Sequence, residues 1–159
     1  FQKAEPVITG SVLGIRESRR IQGDYVLTLE DFKARASFAD EIGRFSYPID
    51  DHIAAPTKEA YEAFHREHSS MRYRDGESYG IPYRVLLPQK LENVFITGRA
   101  VSTDKKMQSS IRVMPCCYIT GQAAGMAASI CMEGRVLPRE VSVPQLRYRL
   151  RQMGAFLPE

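Results

Sequence analysis

The 159 residues carry 22 Lys and Arg against 19 Asp and Glu, a net charge of +3, with 43% hydrophobic and 26% charged residues. That balance supports a packed core but lacks the dense basic stripe of a nucleic-acid binder, an apolar run long enough to span a membrane and a leading signal-peptide pattern. Three cysteines, two of them adjacent, make no disulfide framework, so the expected setting is a soluble protein in a reducing compartment, with the cytoplasm favoured.

Residues 1–8 carry little local signal. Residues 11–21, SVLGIRESRRI, alternate apolar and charged positions and predict a strand with one polar face, closed by a turn at Gly23 and Asp24. On such a strand Arg16 and Arg20 share one face, and Glu17 and Arg19 the other. Thr28 with Asp31 three positions on predicts an N-capped helix over 29–37. Residues 38–52 read as one or two strands around Gly43, with Pro48 confining the second to an edge or its end. Thr57 caps a predicted helix over 58–68 whose inner face is Ala60, Tyr61 and Phe64. Residues 71–80 read as loop or hairpin, and 79–88 as an extended segment stopped by Pro88. A last helix is predicted to start at Val143 and Pro144 and run to about Met153, with Ser142 or Val143 at its cap. Leu146, Leu150 and Met153 form its predicted buried seam, and its arginines face water.

The chain is organised around residues 93–134, NVFITGRAVSTDKKMQSSIRVMPCCYITGQAAGMAASICMEG. Val94 to Thr97 predict a buried strand ending at Gly98 and Arg99, and 102–110 a polar connection. Pro115 is tolerated in a first helical turn, where the missing N–H would be unpaired anyway. The helix predicted over 116–131, with Gly134 as its stop, is apolar around most of its circumference and is expected to be buried. Gly121, Ala124, Gly125 and Ala128 share one of its faces. Interior glycines cost about 1 kcal/mol each relative to alanine, which predicts close approach of a backbone or a ligand. At its N-terminus the helix dipole and Arg112 favour a ligand that is anionic or becomes so.

The segments NVFITGR, SSIRVMP and ITGQAAGMAAS resemble the C-terminal flavin-binding segment of the bacterial FAD-dependent oxidoreductase family, built on the glutathione-reductase type of two-domain flavoprotein. The resemblance runs from about Gly10 to the C-terminus. It implies an α/β fold, mixed α+β over this stretch, in which 1–88 belong to a mainly antiparallel substrate domain and 89–159 to the FAD-binding domain. The implied cofactor contacts are Gly98, Arg99, Ser110, Ile111, Arg112, Val113, Gly121, Gln122, Ala123 and Gly125. The implied substrate-side residues are His52, Arg16 or Arg19, and Tyr83, around a small molecule that carries a carboxylate. The reaction implied is hydride transfer between that substrate and flavin N5. No Gly-x-Gly-x-x-Gly follows a strand, so the chain is expected to be the C-terminal portion of a longer enzyme. Alone it is expected to hold no FAD, to be inactive, and to self-associate, as a homodimer, over its unpartnered apolar faces.

The residues taken by themselves leave alternatives open. The arginine strand is equally a solvated face, His52 a loop histidine, and Tyr83 an aromatic packed across a sheet. His65 and His68 have a spacing found in metal sites without an acidic partner, and exposed helical histidines fit better; no metal is expected. Cys116 and Cys117 read as packed thiols rather than a redox-active vicinal pair. Two other classes share the same helix: a non-catalytic interaction module packed through the glycine face, and a phosphate or nicotinamide-nucleotide binder using the N-terminus at Pro115.

Overall fold

The computed structural model describes residues 2–50 and 57–158, Ser70 by its backbone only. Helix α1 (Leu29–Ala34) starts where the sequence puts it. The Thr28 hydroxyl accepts the Asp31 N–H at 3.3 Å, and the Asp31 carboxylate accepts the Thr28 N–H at 2.8 Å. It ends short of the expected Ser37 because Arg35 turns into the left-handed region at φ 51°. Strand β1 (Glu41–Phe45) pairs antiparallel with β2 (Tyr79–Pro82), Arg44 opposite Gly80 and Phe45 opposite Tyr79, with an irregularity between Glu41 and Gly43. Between them Thr57 caps α2 (Lys58–Ser70). On α2 the half-buried positions are Ala60, Phe64 and His68, while Tyr61, expected inside, is exposed.

The segment expected to stay extended to Pro88 leaves the sheet at Pro82 and tightens into a 3₁₀ turn, Tyr83–Leu86. Residues 94–97 form no ladder; the Ile96 N–H reaches the Leu86 carbonyl at 2.9 Å, and the chain then enters a second 3₁₀ turn, Gly98–Ala100. Likewise residues 11–20 are exposed and carry no sheet pairing, and Ile21 is where the backbone itself pairs with another segment, its N–H on the Ala100 carbonyl at 3.0 Å. An alternating pattern says which face a strand would bury, but a ladder needs a neighbour to complete it.

Inside the expected polar connection lies another helix, α3 (Lys105–Ile111). One oxygen of the Asp104 carboxylate caps it through the Met107 N–H at 2.7 Å, and the other takes the Leu29 N–H at 2.7 Å, which joins α3 to α1. Helix α4 (Met114–Gly134) follows after Arg112 and Val113. It buries Cys116, Thr120, Ala123, Ala124, Ala127 and Ile130, one stripe at helical spacing. The opposite stripe is open: Met114, Tyr118 and Met132 are exposed, so α4 is a half-buried helix and not the fully buried one its composition suggests. Gly134 is its last helical residue, and Arg135 takes the left-handed cap at φ 51°.

Helix α5 (Val143–Gln152), capped by the Ser142 hydroxyl, packs on α4 through Leu146 and Leu150. Met153, expected in that seam, is exposed because the chain has already left the helix. The α5 arginines do more than meet water. Arg147 donates to the Glu41 carbonyl at 2.8 Å, and Arg149 grips both oxygens of Glu133 on α4 at 2.7 and 2.6 Å. Those bonds pull the exposed Glu133 carboxyl down to about 2. One hydrophobic cluster spans residues on both sides of position 88, from Leu27, Phe32, Tyr79 and Leu86 to Met107, Ile111, Leu146 and Leu150.

Candidate functional site

Three segments distant in sequence meet where α3 hands over to α4. Arg112 closes α3 and is 8% exposed. Its Nη1 donates to the Glu17 carboxylate at 2.9 Å, and its Nη2 to the Asp50 carbonyl at 2.9 Å, with the Asp50 carboxylate 3.7 Å away. A guanidinium removed from water needs such partners, since an unpaired buried charge costs several kcal/mol. The neighbouring residues of α3 bind the same strand exit: Ser109 Oγ accepts the Asp50 N–H at 3.1 Å, and Ser110 Oγ donates to the Tyr47 carbonyl at 2.6 Å. Ser110 in turn receives the Tyr79 hydroxyl at 2.9 Å. Burial holds that phenol well above its ordinary pKa.

The Gly98–Ala100 turn forms the other wall. Gly98 stands at φ 65°, a conformation that glycine adopts without strain, and its N–H donates to Thr120 Oγ1 on α4 at 3.1 Å. Arg99 donates from Nε to the Arg112 carbonyl at 3.3 Å and from Nη1 to the Ile15 carbonyl at 3.3 Å. Two arginines of the organising motif therefore hold the 15–17 segment. Gln108, fully buried, braces the turn from behind; it donates to the Arg99 carbonyl at 2.5 Å and accepts the Thr103 hydroxyl at 2.8 Å. Cys117 reaches the Arg112 carbonyl at 3.5 Å. All three cysteines are free thiols. Burial raises Cys116 well above the usual thiol range, and it raises Cys117 too, with nearby Arg99 opposing. Neither is poised as a thiolate nucleophile.

The residues singled out from sequence do not share one place. Gly98, Arg99, Arg112 and Val113 converge at the junction, and Gly121, Gln122 and Gly125 lie on the open side of α4. No heavy atom outside the helix lies within 4 Å of where a Cβ at Gly121 or Gly125 would stand. The side chains of Ser110, Ile111 and Ala123 are core instead, each buried by the inward turn of its helix. Tyr83 is core too: its hydroxyl is given to the Pro138 carbonyl at 2.7 Å, and burial raises its pKa. Arg16 and Arg19 are exposed on the 11–20 segment, beside the anchored Ile15 and Glu17. His52 lies outside the described residues. Sequence reasoning did not assign Gln108 or Ser109; the Asp104-to-Met107 capping spacing was the available signal for the helix that carries them. Among the described residues no group of three or more His, Cys, Asp or Glu side chains is arranged for a metal ion, and no helix is long and apolar enough to cross a membrane.

The family model for FAD-dependent oxidoreductases matches residues 1–150. The chain belongs to the FAD-dependent oxidoreductase family. No curated protein and no solved structure matches it. For a member of this family the junction offers suitable chemistry. Val113 caps α4 without a side-chain bond, so the Met114 and Cys116 amides, either side of the donor-less Pro115, have no capping side chain. Those two amides are donors, the paired Arg112 guanidinium adds positive charge behind them, and further along α4 the Gly121 and Gly125 face is open. A donor set of that kind fits the acceptor-rich pyrimidine edge of a flavin.

Proposed function

We propose that this FAD-dependent oxidoreductase moves a hydride between a carbon of a small organic substrate and flavin N5, with the pyrimidine edge of the flavin at the start of α4. Bound there, the flavin supplies the redox chemistry. Residues 89–159 supply the flavin side: the Gly98–Arg99 turn, the amides after Val113, Arg112, and the Gly121–Gly125 face. Residues 1–88 supply the substrate side, with Arg16 or Arg19 to pair with a substrate carboxylate and His52 to hold or move a proton. The observation that carries this reading is Arg112, which binds both Glu17 and Asp50. It ties the arginine segment and Asp50 to one helix start.

The test is Arg112→Gln in the flavin-loaded protein. Loss of the guanidinium is expected to lower the flavin midpoint potential and slow reduction by substrate, because positive charge at this edge favours the anionic reduced form. An unchanged potential would overturn the placement of the flavin. The open stripe of α4, with Met114, Tyr118 and Met132, and the exposed Val7, Ile8, Val12 and Leu13 support a further expectation. The isolated 159-residue chain should self-associate as a symmetric dimer. Sedimentation velocity showing one monomeric species at rising concentration would contradict it.

A further inference from the structure

We infer that Glu17 is a positioning residue that sets the charge at the flavin edge of the site. This rests on the proposed location of the flavin at α4. Arg112 meets the helix start as half of an ion pair: Glu17, 95 positions away in sequence, sits 2.9 Å from its Nη1, in a pair whose Arg112 side chain is 9% exposed and whose Glu17 side chain is 33% exposed. The Arg112 end of the pair is sheltered while Glu17 is open to water on one side, so solvent screens the pair only in part and the carboxylate cancels part of the field that the guanidinium projects. Asp50 is the second anion at the junction: Arg112 holds its backbone carbonyl at 2.9 Å, and its carboxylate, at 3.7 Å, opposes the same charge from further away. Exposed Arg99 binds two backbone carbonyls at 3.3 Å.

The same ion pair has a mechanical role. Residues 11–20 have no sheet partner, and the bonds of Arg99 to Ile15 and of Arg112 to Glu17 hold the backbone on either side of Arg16. Loss of the Glu17 charge is therefore expected to have two separable effects. It leaves Arg112 with only the more distant Asp50 carboxylate, so more of its positive charge reaches the flavin edge, and it loosens the segment that carries the substrate-side arginines.

The experiment compares Glu17→Gln, Glu17→Asp and Arg112→Gln with the parent in the flavin-loaded protein, by spectroelectrochemical titration and hydrogen exchange. Glutamine keeps the shape and one hydrogen bond, and Glu17 is partly exposed, so folding is expected to survive. Glu17→Gln should raise the midpoint potential, shifting the oxidised-to-reduced ratio roughly tenfold, or about 30 mV for a two-electron couple. It should also speed exchange of the amides of residues 15–17 and raise KM for substrate more than it changes kcat. Glu17→Asp should return the potential toward the parent value. If Arg112→Gln lowers the potential while Glu17→Gln leaves it unchanged or lowers it, the role given to Glu17 is overturned. An Arg112→Gln variant with the parent's potential overturns the flavin placement instead, and the inference with it.

Discussion

Replacing Arg44 by methionine should destabilise the fold by roughly 3–5 kcal/mol, the usual cost of stranding one partner of a buried ion pair. Arg44 Nη1 lies 2.7 Å from Glu41, and the two side chains are only 12% and 4% exposed. The arginine also donates from Nε to Ser78 Oγ at 2.8 Å and from Nη2 to the Ser78 carbonyl at 2.8 Å. The Glu41 carboxylate accepts the Phe38 N–H at 2.9 Å and fills the space that a side chain at Gly80 would need. Methionine matches the arm but leaves that carboxylate buried beside one amide. Lys58 and Glu62 provide the control. They stand 3.9 Å apart and are 83% and 56% exposed, so Lys58→Ala should change stability by less than about 0.5 kcal/mol. Urea unfolding of both variants checks this, and equal midpoints would contradict it. The consequence reaches the site, because β1 delivers Tyr47 and Asp50 to Ser110, Ser109 and Arg112.

A comparable loss is expected for Phe32→Ala, roughly 3–5 kcal/mol from lost transfer energy plus the cavity left behind. Phe32 is 1% exposed. Its ring stacks on Tyr73 at 4.5 Å between centroids and packs against Tyr79 at 5.5 Å. The site cannot collapse cheaply, since Tyr73 is held by a hydroxyl bond to the Phe32 carbonyl and Tyr79 by its bond to Ser110. Thermal unfolding of Phe32→Ala and Phe32→Leu separates the terms. Leucine refills part of the space and should lose markedly less, and equal losses would show that the aromatic cluster is not the cause. Because Tyr79 supports Ser110, two residues before Arg112, the alanine variant should also speed amide exchange across α3.

The local elements were legible wherever one short stretch determines the outcome. Thr28 with Asp31, Thr57, Ser142 before Val143 and Pro144, and Gly98 each act through bonds or dihedrals within a few residues, and the structure has caps and turns there. The motif from Gly98 to Gly125 identified the family, and the match over residues 1–150 agrees. Helix α3 was hidden because Lys105, Lys106, Gln108, Ser109 and Ser110 look like a polar loop. Three of these, Gln108, Ser109 and Ser110, are buried only because Thr103, Arg99, Asp50 and Tyr47 satisfy their polar groups from other segments.

Only the tertiary structure decided which side of α4 is buried, that the Tyr83 hydroxyl belongs to Pro138, and that Arg112 is spent on Glu17 and Asp50. The sequence by itself determined that an arginine precedes a glycine-bearing helix in a flavin-family motif, and so that positive charge stands at the helix start. Whether that charge is free or compensated depends on a carboxylate 95 positions away. Coulomb energy follows distance in space, and only the folded chain specifies that distance.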